Sequence, residues 1–226
     1  MPRSAEQTEE LANAVTHGLG CVLALSAWPA LAFDGAQAQP ALLGAERGLA
    51  PLGNGVFVAT MLLMFLASAA YHAAPAGPLR QRLRRVDHAV IFIFIAGSCT
   101  PFALAPAPAW HIGIEWPMAP GWTLGAVWLL ALAGTALKLA NRLRRPLLST
   151  ALYLLFGWLA GAAAWPALSQ LNATALGLVI GGGLAYSLGS AFYLLGHRMR
   201  WAHLVWHVFV LIGCACHFMA LMASAA

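Results

Sequence analysis

Apolar runs long enough to cross a bilayer recur along the chain, separated by short polar or Pro/Gly-rich segments. A spanning helix needs about 20 such residues, and runs of that size fall at about 13–33, 50–73, 87–106, 121–140, 147–168, 173–195 and 201–223. The segments between them carry helix-ending residues: Asp34-Gly35 and Gln39-Pro40, Pro75-Ala76-Gly77-Pro78, the run from Pro106 to Pro120, Asn141 to Pro146, Pro166 to Asn172, and Gly196-His197-Arg198. The pattern predicts an all-α, polytopic seven-helix membrane bundle that fills residues 1–226 as one domain. Small residues at four-residue spacing, Gly121/Gly125, Gly157/Gly161 and Gly177/Gly181, predict close helix packing in that bundle.

Composition agrees with membrane rather than water as the solvent, since 61% of the 226 residues are hydrophobic and 8% charged. The net charge of +5 does not point to nucleic acid, because the basic residues flank apolar spans and so carry topological information. Arg3, then Arg80, Arg82, Arg84 and Arg85, then Lys138, Arg142, Arg144 and Arg145, then Arg198 and Arg200 fall on one side of a seven-span layout, and Arg47 alone on the other. The positive-inside rule then places the N-terminus in the cytoplasm and the C-terminus outside. Trp110, Trp116, Trp122 and Trp201 are expected to anchor helices at headgroup level. The acidic start, with Glu6, Glu9 and Glu10, is unlike a signal peptide, so the first span is expected to stay in the mature protein. Cys21, Cys99, Cys214 and Cys216 lie in apolar runs without a C-x-x-C spacing and read as packing residues.

Ionisable groups inside a bilayer are costly and tend to face an interior cavity where they take part in chemistry or transport. Here His72 ends the second span, Asp87 opens the third, and His203 and His207 open the seventh, all at the cytoplasmic end of the predicted topology. Residues four apart share a helix face, so His203 and His207 can ligate one metal. His72, arriving from a neighbouring span at the same depth, completes three ligands and leaves a fourth position for water, the arrangement of catalytic zinc. Asp87 can act on that water as general base or hold it in place, and Ser68, one turn before His72, can donate to a polarised substrate oxygen. Plainer roles exist for each: the histidine pair can bond to carbonyls or headgroups, Asp87 can pair with Arg84 or Arg85, and Ser68 can be packing glue. His17 suits either a cavity lining or helix packing. His217, about 15 Å further along its helix than His207, cannot share the metal and reads as a buried hydrogen-bonding group. His88 points about 100° away from Asp87 around its helix, and His111 and His197 fall in loops.

These residues carry a resemblance. Glu10-Leu11-Ala12-Asn13-Ala14-Val15-Thr16-His17-Gly18-Leu19-Gly20, Ser68-Ala69-Ala70-Tyr71-His72, Asp87 followed by Gly97-Ser98-Cys99-Thr100-Pro101-Phe102, and His203-Leu204-Val205-Trp206-His207-Val208-Phe209-Val210 with His217-Phe218 resemble, from end to end, a bacterial member of the hemolysin III group within the progestin and adipoQ receptor (PAQR) family. Cys99 departs from that pattern, where an aromatic residue is expected. The resemblance implies a seven-helix bundle in the bacterial plasma membrane with an internal N-terminus. It also implies a Zn2+ site near the inner leaflet at His72, His203 and His207, with Asp87 contacting zinc through water and Ser68 alongside. Two classes of activity follow from it. One is zinc-dependent hydrolysis of a lipid amide or ester, like the ceramide-cleaving relatives, with the lipid entering sideways from the membrane. The other is membrane lysis or pore formation, with a regulator of membrane lipid state holding structural zinc as a third reading. Polar residues concentrated at one end disfavour a standing aqueous pore.

Overall fold

The computed structural model describes residues 4–37, 49–104, 120–196 and 198–225. They form the helices α1 (Ala5–Gln37), α2 (Ala50–Ala73), α3 (Pro78–Ala103), α4 (Pro120–Leu139), α5 (Pro146–Ala163), the single turn α6 (Trp165–Leu168), α7 (Ala173–Leu195) and α8 (Ala202–Ala225). Seven of these are long and apolar enough to span a membrane, so the protein is a multi-pass helical membrane bundle. Arg3, Arg47, Trp110, Trp116, His111 and His197 lie outside the described residues, as does most of the connection from Pro106 to Pro120.

Three helix boundaries differ from the hydropathy reading, each for a local reason. α1 begins eight residues before the apolar run because Ser4 and Gln7 form a capping box: the Ser4 backbone N–H donates to Gln7 Oε1 (2.9 Å) and the Gln7 N–H to Ser4 Oγ (3.2 Å). It also continues through Asp34-Gly35, which therefore does not end it. α3 starts at Pro78, the favoured first helical position for proline. Gly77 before it has φ 154°, a conformation open in practice only to glycine, and so turns the chain between α2 and α3. The basic cluster Arg80–Arg85 is therefore the opening of a helix rather than a loop. α5 stops at Ala163, because Pro166 has no N–H to continue the ladder, and α6 follows as a separate turn.

Packing runs around a ring, α1 on α2, α2 on α3, α3 on α5, α5 on α7, α7 on α8 and α8 back on α1, with α4 set against the outside of α3. α3 has 61% of its spanning window buried, against 17% for α4 and for α7, so it is the helix about which the others assemble. Phe57 and Phe65 on α2 are fully enclosed beside it. Contacts between helix termini bring the start of α1, the ends of α2, α4 and α7, and the starts of α3, α5 and α8 to one end of the bundle. Lys138 Nζ donates to Ser149 Oγ (2.8 Å), Tyr153 Oη to the His88 carbonyl (2.7 Å) and Arg200 Nε to Glu9 Oε1 (3.0 Å), while the Tyr193 and His203 rings meet at 5.9 Å. Apart from Arg3 and Arg47, every Lys and Arg therefore sits at that end. Trp122 is 73% exposed, as an interfacial anchor requires.

The glycine pairs do not pack as expected. A Cβ added at Gly125, Gly157, Gly161, Gly177 or Gly181 meets nothing within 4 Å. Close approach occurs elsewhere: Gly97 of α3 lies directly against the Thr60 side chain of α2, and Gly213 of α8 against the Tyr186 ring of α7. Spacing on one helix does not identify its neighbour, and the α5–α7 face carrying Gly157 and Gly161 borders a cavity instead. Gly97→Ala is accordingly expected to cost about 1–3 kcal/mol through overpacking, whereas Gly157→Ala and Gly161→Ala stay within about 0.5 kcal/mol or gain stability. Denaturant titration in mixed micelles measures the difference.

Candidate metal centre

His72 sits in the last turn of α2, and His203 and His207 in the first two turns of α8. The chain enters α8 through Trp201, which has a left-handed φ of 64°, an uncommon backbone state for a bulky residue. Arg200 lies 5.2 Å over its ring. From that start the i, i+4 spacing sets both α8 imidazoles toward His72. Ring centroids stand 5.0 Å apart for His72–His203, 5.0 Å for His72–His207 and 4.7 Å for His203–His207. One ring nitrogen from each of the three lies within 4.8 Å of the others, close enough to hold a metal ion. The structure thus brings together the three histidines that the sequence reading grouped.

Hydrogen bonding supplies an independent test of fit. Buried polar atoms in folded proteins nearly always have a partner, and each exception asks for an explanation. Among the described residues the buried side-chain atoms without one are Asn13 Oδ1, both His17 nitrogens, Ser68 Oγ, His72 Nε2, His203 Nε2, His207 Nδ1 and His217 Nδ1. All but the last gather around the three imidazoles. Three unpartnered ring nitrogens converging on one point are what a cation needs and what a structural hydrogen-bond network avoids, and an all-imidazole set suits zinc, copper, iron or nickel. The residues therefore fit a transition metal.

Asp87 is 6% exposed, in the third turn of α3, and is not part of the histidine group. Among the described residues no ion pair joins it to Arg84 or Arg85; its nearest ionic neighbour is His88 Nε2, 3.8 Å from Oδ2. Asp87 and Ser68 both line a cavity of about 500 Å³ that runs down the bundle between α3, α5, α7 and α8. Aliphatic and aromatic side chains dominate its walls, and it reaches Phe102, Leu168 and His217 at the far end. His17 belongs to both cavity and cluster, stacking on His207 with centroids 3.6 Å apart and planes 13° from parallel. His217 is the hydrogen-bonding group expected of it, with Nε2 3.3 Å from the Val179 carbonyl oxygen.

Two residues here were named in the sequence reading, Glu10 in the family motif and Arg80 in the basic cluster, without being placed in the site. Glu10 of α1 approaches His72 Nδ1 at 2.7 Å through Oε2, and its Oε1 is paired with Arg80. The signal lay in helical spacing: Glu10, Asn13 and His17 stand at i, i+3 and i+7, a polar row on one face of an otherwise apolar helix. His207→Ala is expected to abolish metal retention, whereas His17→Ala, whose nitrogens lie outside the ligand group, keeps about one metal per chain. Elemental analysis of the purified variants after dialysis distinguishes the two.

Comparison with known proteins agrees with this architecture. The chain is 35% identical over 220 residues to a hemolysin-3 homolog of Bacillus subtilis (strain 168), covering 95% of this chain and 93% of that protein. It is 32% identical over 214 residues to hemolysin-3 of Bacillus cereus, covering 95% and 90%. A family profile described as haemolysin-III related matches residues 5–218, and with those two relatives it shows that the chain belongs to the hemolysin III family.

Proposed function

We propose that the protein is a zinc-dependent intramembrane hydrolase acting on a lipid amide or ester. The observation that carries this reading is the set of unpartnered imidazole nitrogens, joined through His17, which stacks on His207, to an apolar cavity that the buried Asp87 and Ser68 also line. His72, His203 and His207 would hold the zinc, which supplies Lewis acidity and makes a water in its open position acidic enough to ionise near neutral pH. Asp87, outside the ligand group, accepts the proton of the attacking water. Ser68 Oγ, on the same cavity wall as Asp87, donates to the carbonyl oxygen as negative charge develops there. The aliphatic walls take the lipid chain and exclude bulk water from the mouth. By the positive-inside rule the site faces the cytoplasmic leaflet of a bacterial plasma membrane, so the substrate is a membrane lipid that enters laterally.

A second reading is membrane lysis, favoured by the name of the Bacillus cereus relative, hemolysin-3. Purified protein in lipid nanodiscs is expected to release fatty acid from an amide- or ester-linked lipid. Asp87→Asn should retain the metal while losing about 10²–10⁴-fold in rate, and Ser68→Ala about 10²-fold. Absence of release across a panel of such lipids, together with metal-independent dye leakage from liposomes, would replace hydrolysis with lysis. Loss of metal in Asp87→Asn would make the carboxylate a ligand and the ion structural.

A further inference from the structure

We infer that Glu10 is the carboxylate that orients His72 for metal binding, and that Arg80 holds Glu10 in place. The inference rests on the metal-binding reading of the three histidines and adds to it a positioning residue from a helix that supplies no ligand. An ionised carboxylate only accepts hydrogen bonds. The 2.7 Å contact between Glu10 Oε2 and His72 Nδ1 therefore puts a proton on Nδ1 and leaves Nε2 with its lone pair. Nε2 is the atom on this ring that is buried and unpartnered. The carboxylate thus selects the tautomer a metal requires, fixes the plane of the ring, and strengthens the nitrogen as a donor, as carboxylates behind metal-ligating histidines do elsewhere.

Geometry argues against Glu10 being a surface ion pair that happens to lie nearby. Its other oxygen is engaged by Arg80 from the first turn of α3, and that guanidinium lies 5.4 Å over the Tyr71 ring, whose own centroid is 4.4 Å from that of His72. The carboxylate is gripped at both ends, one by the imidazole it orients and the other by a cation that is itself seated on the neighbouring side chain. Glu9 provides the internal contrast. It pairs with Arg200 at 3.0 Å, where the Arg200 side chain is 59% exposed, and so ties α1 to the approach of α8 without touching an imidazole. Adjacent carboxylates on one helix therefore separate tethering of α1 from orientation of the ligand.

Metal-free protein in detergent, titrated with Zn2+ against a chromophoric chelator and separately with Co2+ to record its visible absorption, tests this. Glu10→Ala is expected to bind Zn2+ about 10–100-fold more weakly than wild type, with an altered Co2+ spectrum. Glu10→Gln keeps an acceptor oxygen without the charge and should lose less, while Glu9→Ala should bind within about twofold of wild type. An affinity and spectrum unchanged in Glu10→Ala would overturn the inference. So would an equal loss in Glu9→Ala, which would reduce Glu10 to a tether. If Glu10→Ala does not fold, Glu10→Gln decides: indistinguishable from wild type in affinity and spectrum, it overturns the proposal. A wild type that takes up no metal removes the metal reading itself, an outcome distinct from tight binding in both wild type and Glu10→Ala.

Discussion

A helix bundle in hydrocarbon has no water with which to satisfy a stray polar atom, so each buried side-chain donor or acceptor must find a partner in the protein or hold something else. Across most of this molecule the requirement is met locally. Thr60, Thr100, Thr150, Ser187 and Ser190 each donate back to a carbonyl one turn earlier on their own helix, and Asn172 caps α7 while donating to the Ala223 carbonyl at the end of α8. At one end the rule is broken many times over within a few ångströms. The cost of that concentration of unpaired nitrogens and oxygens is offset where an ion or bound water occupies the space between them, and the rest of the architecture can be understood as what holds those atoms in place.

Three devices do so. Gly77 turns the chain sharply enough for Pro78 to start α3 immediately beside the end of α2, which brings the Arg80 turn level with His72. The close approach of Gly97 to Thr60 then locks α3 against α2, and Gly213 against Tyr186 locks α8 against α7. The α1 capping box extends the first helix beyond its apolar run, so that Glu9 and Glu10 reach the starts of α8 and α3. None of these contacts touches a reacting group. Together they hold the helices in the relative placement that brings His72, His203 and His207 together.

The seven spans and the histidine group were legible in the sequence because both depend on strong one-dimensional signals: about twenty uninterrupted apolar residues, and two imidazoles at i, i+4 beside a helix start. The α2 boundaries emerge directly from the apolar run. What was hidden depends on neighbours. Glycine spacing says that a helix can be approached closely without saying by what, so Gly157 and Gly161 read as packing positions although they stand against open space. Hydropathy discounts polar residues at a helix start, so the first turns of α1 and α3 were assigned to loops. Glu10, though it heads the family motif, was not given a site role, although its place on the same face as Asn13 and His17 was available from spacing alone. The partnership of Glu10 with Arg80 and His72 spans three helices, and no periodicity within one of them reveals it.

The relation between cluster and cavity bears on the choice between chemistry and conduction. A water-filled path needs polar side chains distributed from face to face, since an ion or water file must be solvated throughout. Among the described residues the one lining carboxylate, Asp87, lies at the cluster end with His17 and Ser68, while the lining hydroxyls of Ser98, Ser187 and Ser190 each donate to a carbonyl of their own helix. The opposite half presents Phe102, Leu168, Leu176, Val179 and Ile180, with His217 turned partly to a backbone carbonyl of α7. Such a cavity solvates a hydrocarbon chain along its length and a polar group only at its mouth. On the hydrolytic reading, an amphiphile entering chain-first would be held with its headgroup linkage at the level of Asp87 and Ser68. This partition would then serve catalysis: binding energy from the apolar chain helps place the scissile carbonyl beside Ser68 and Asp87.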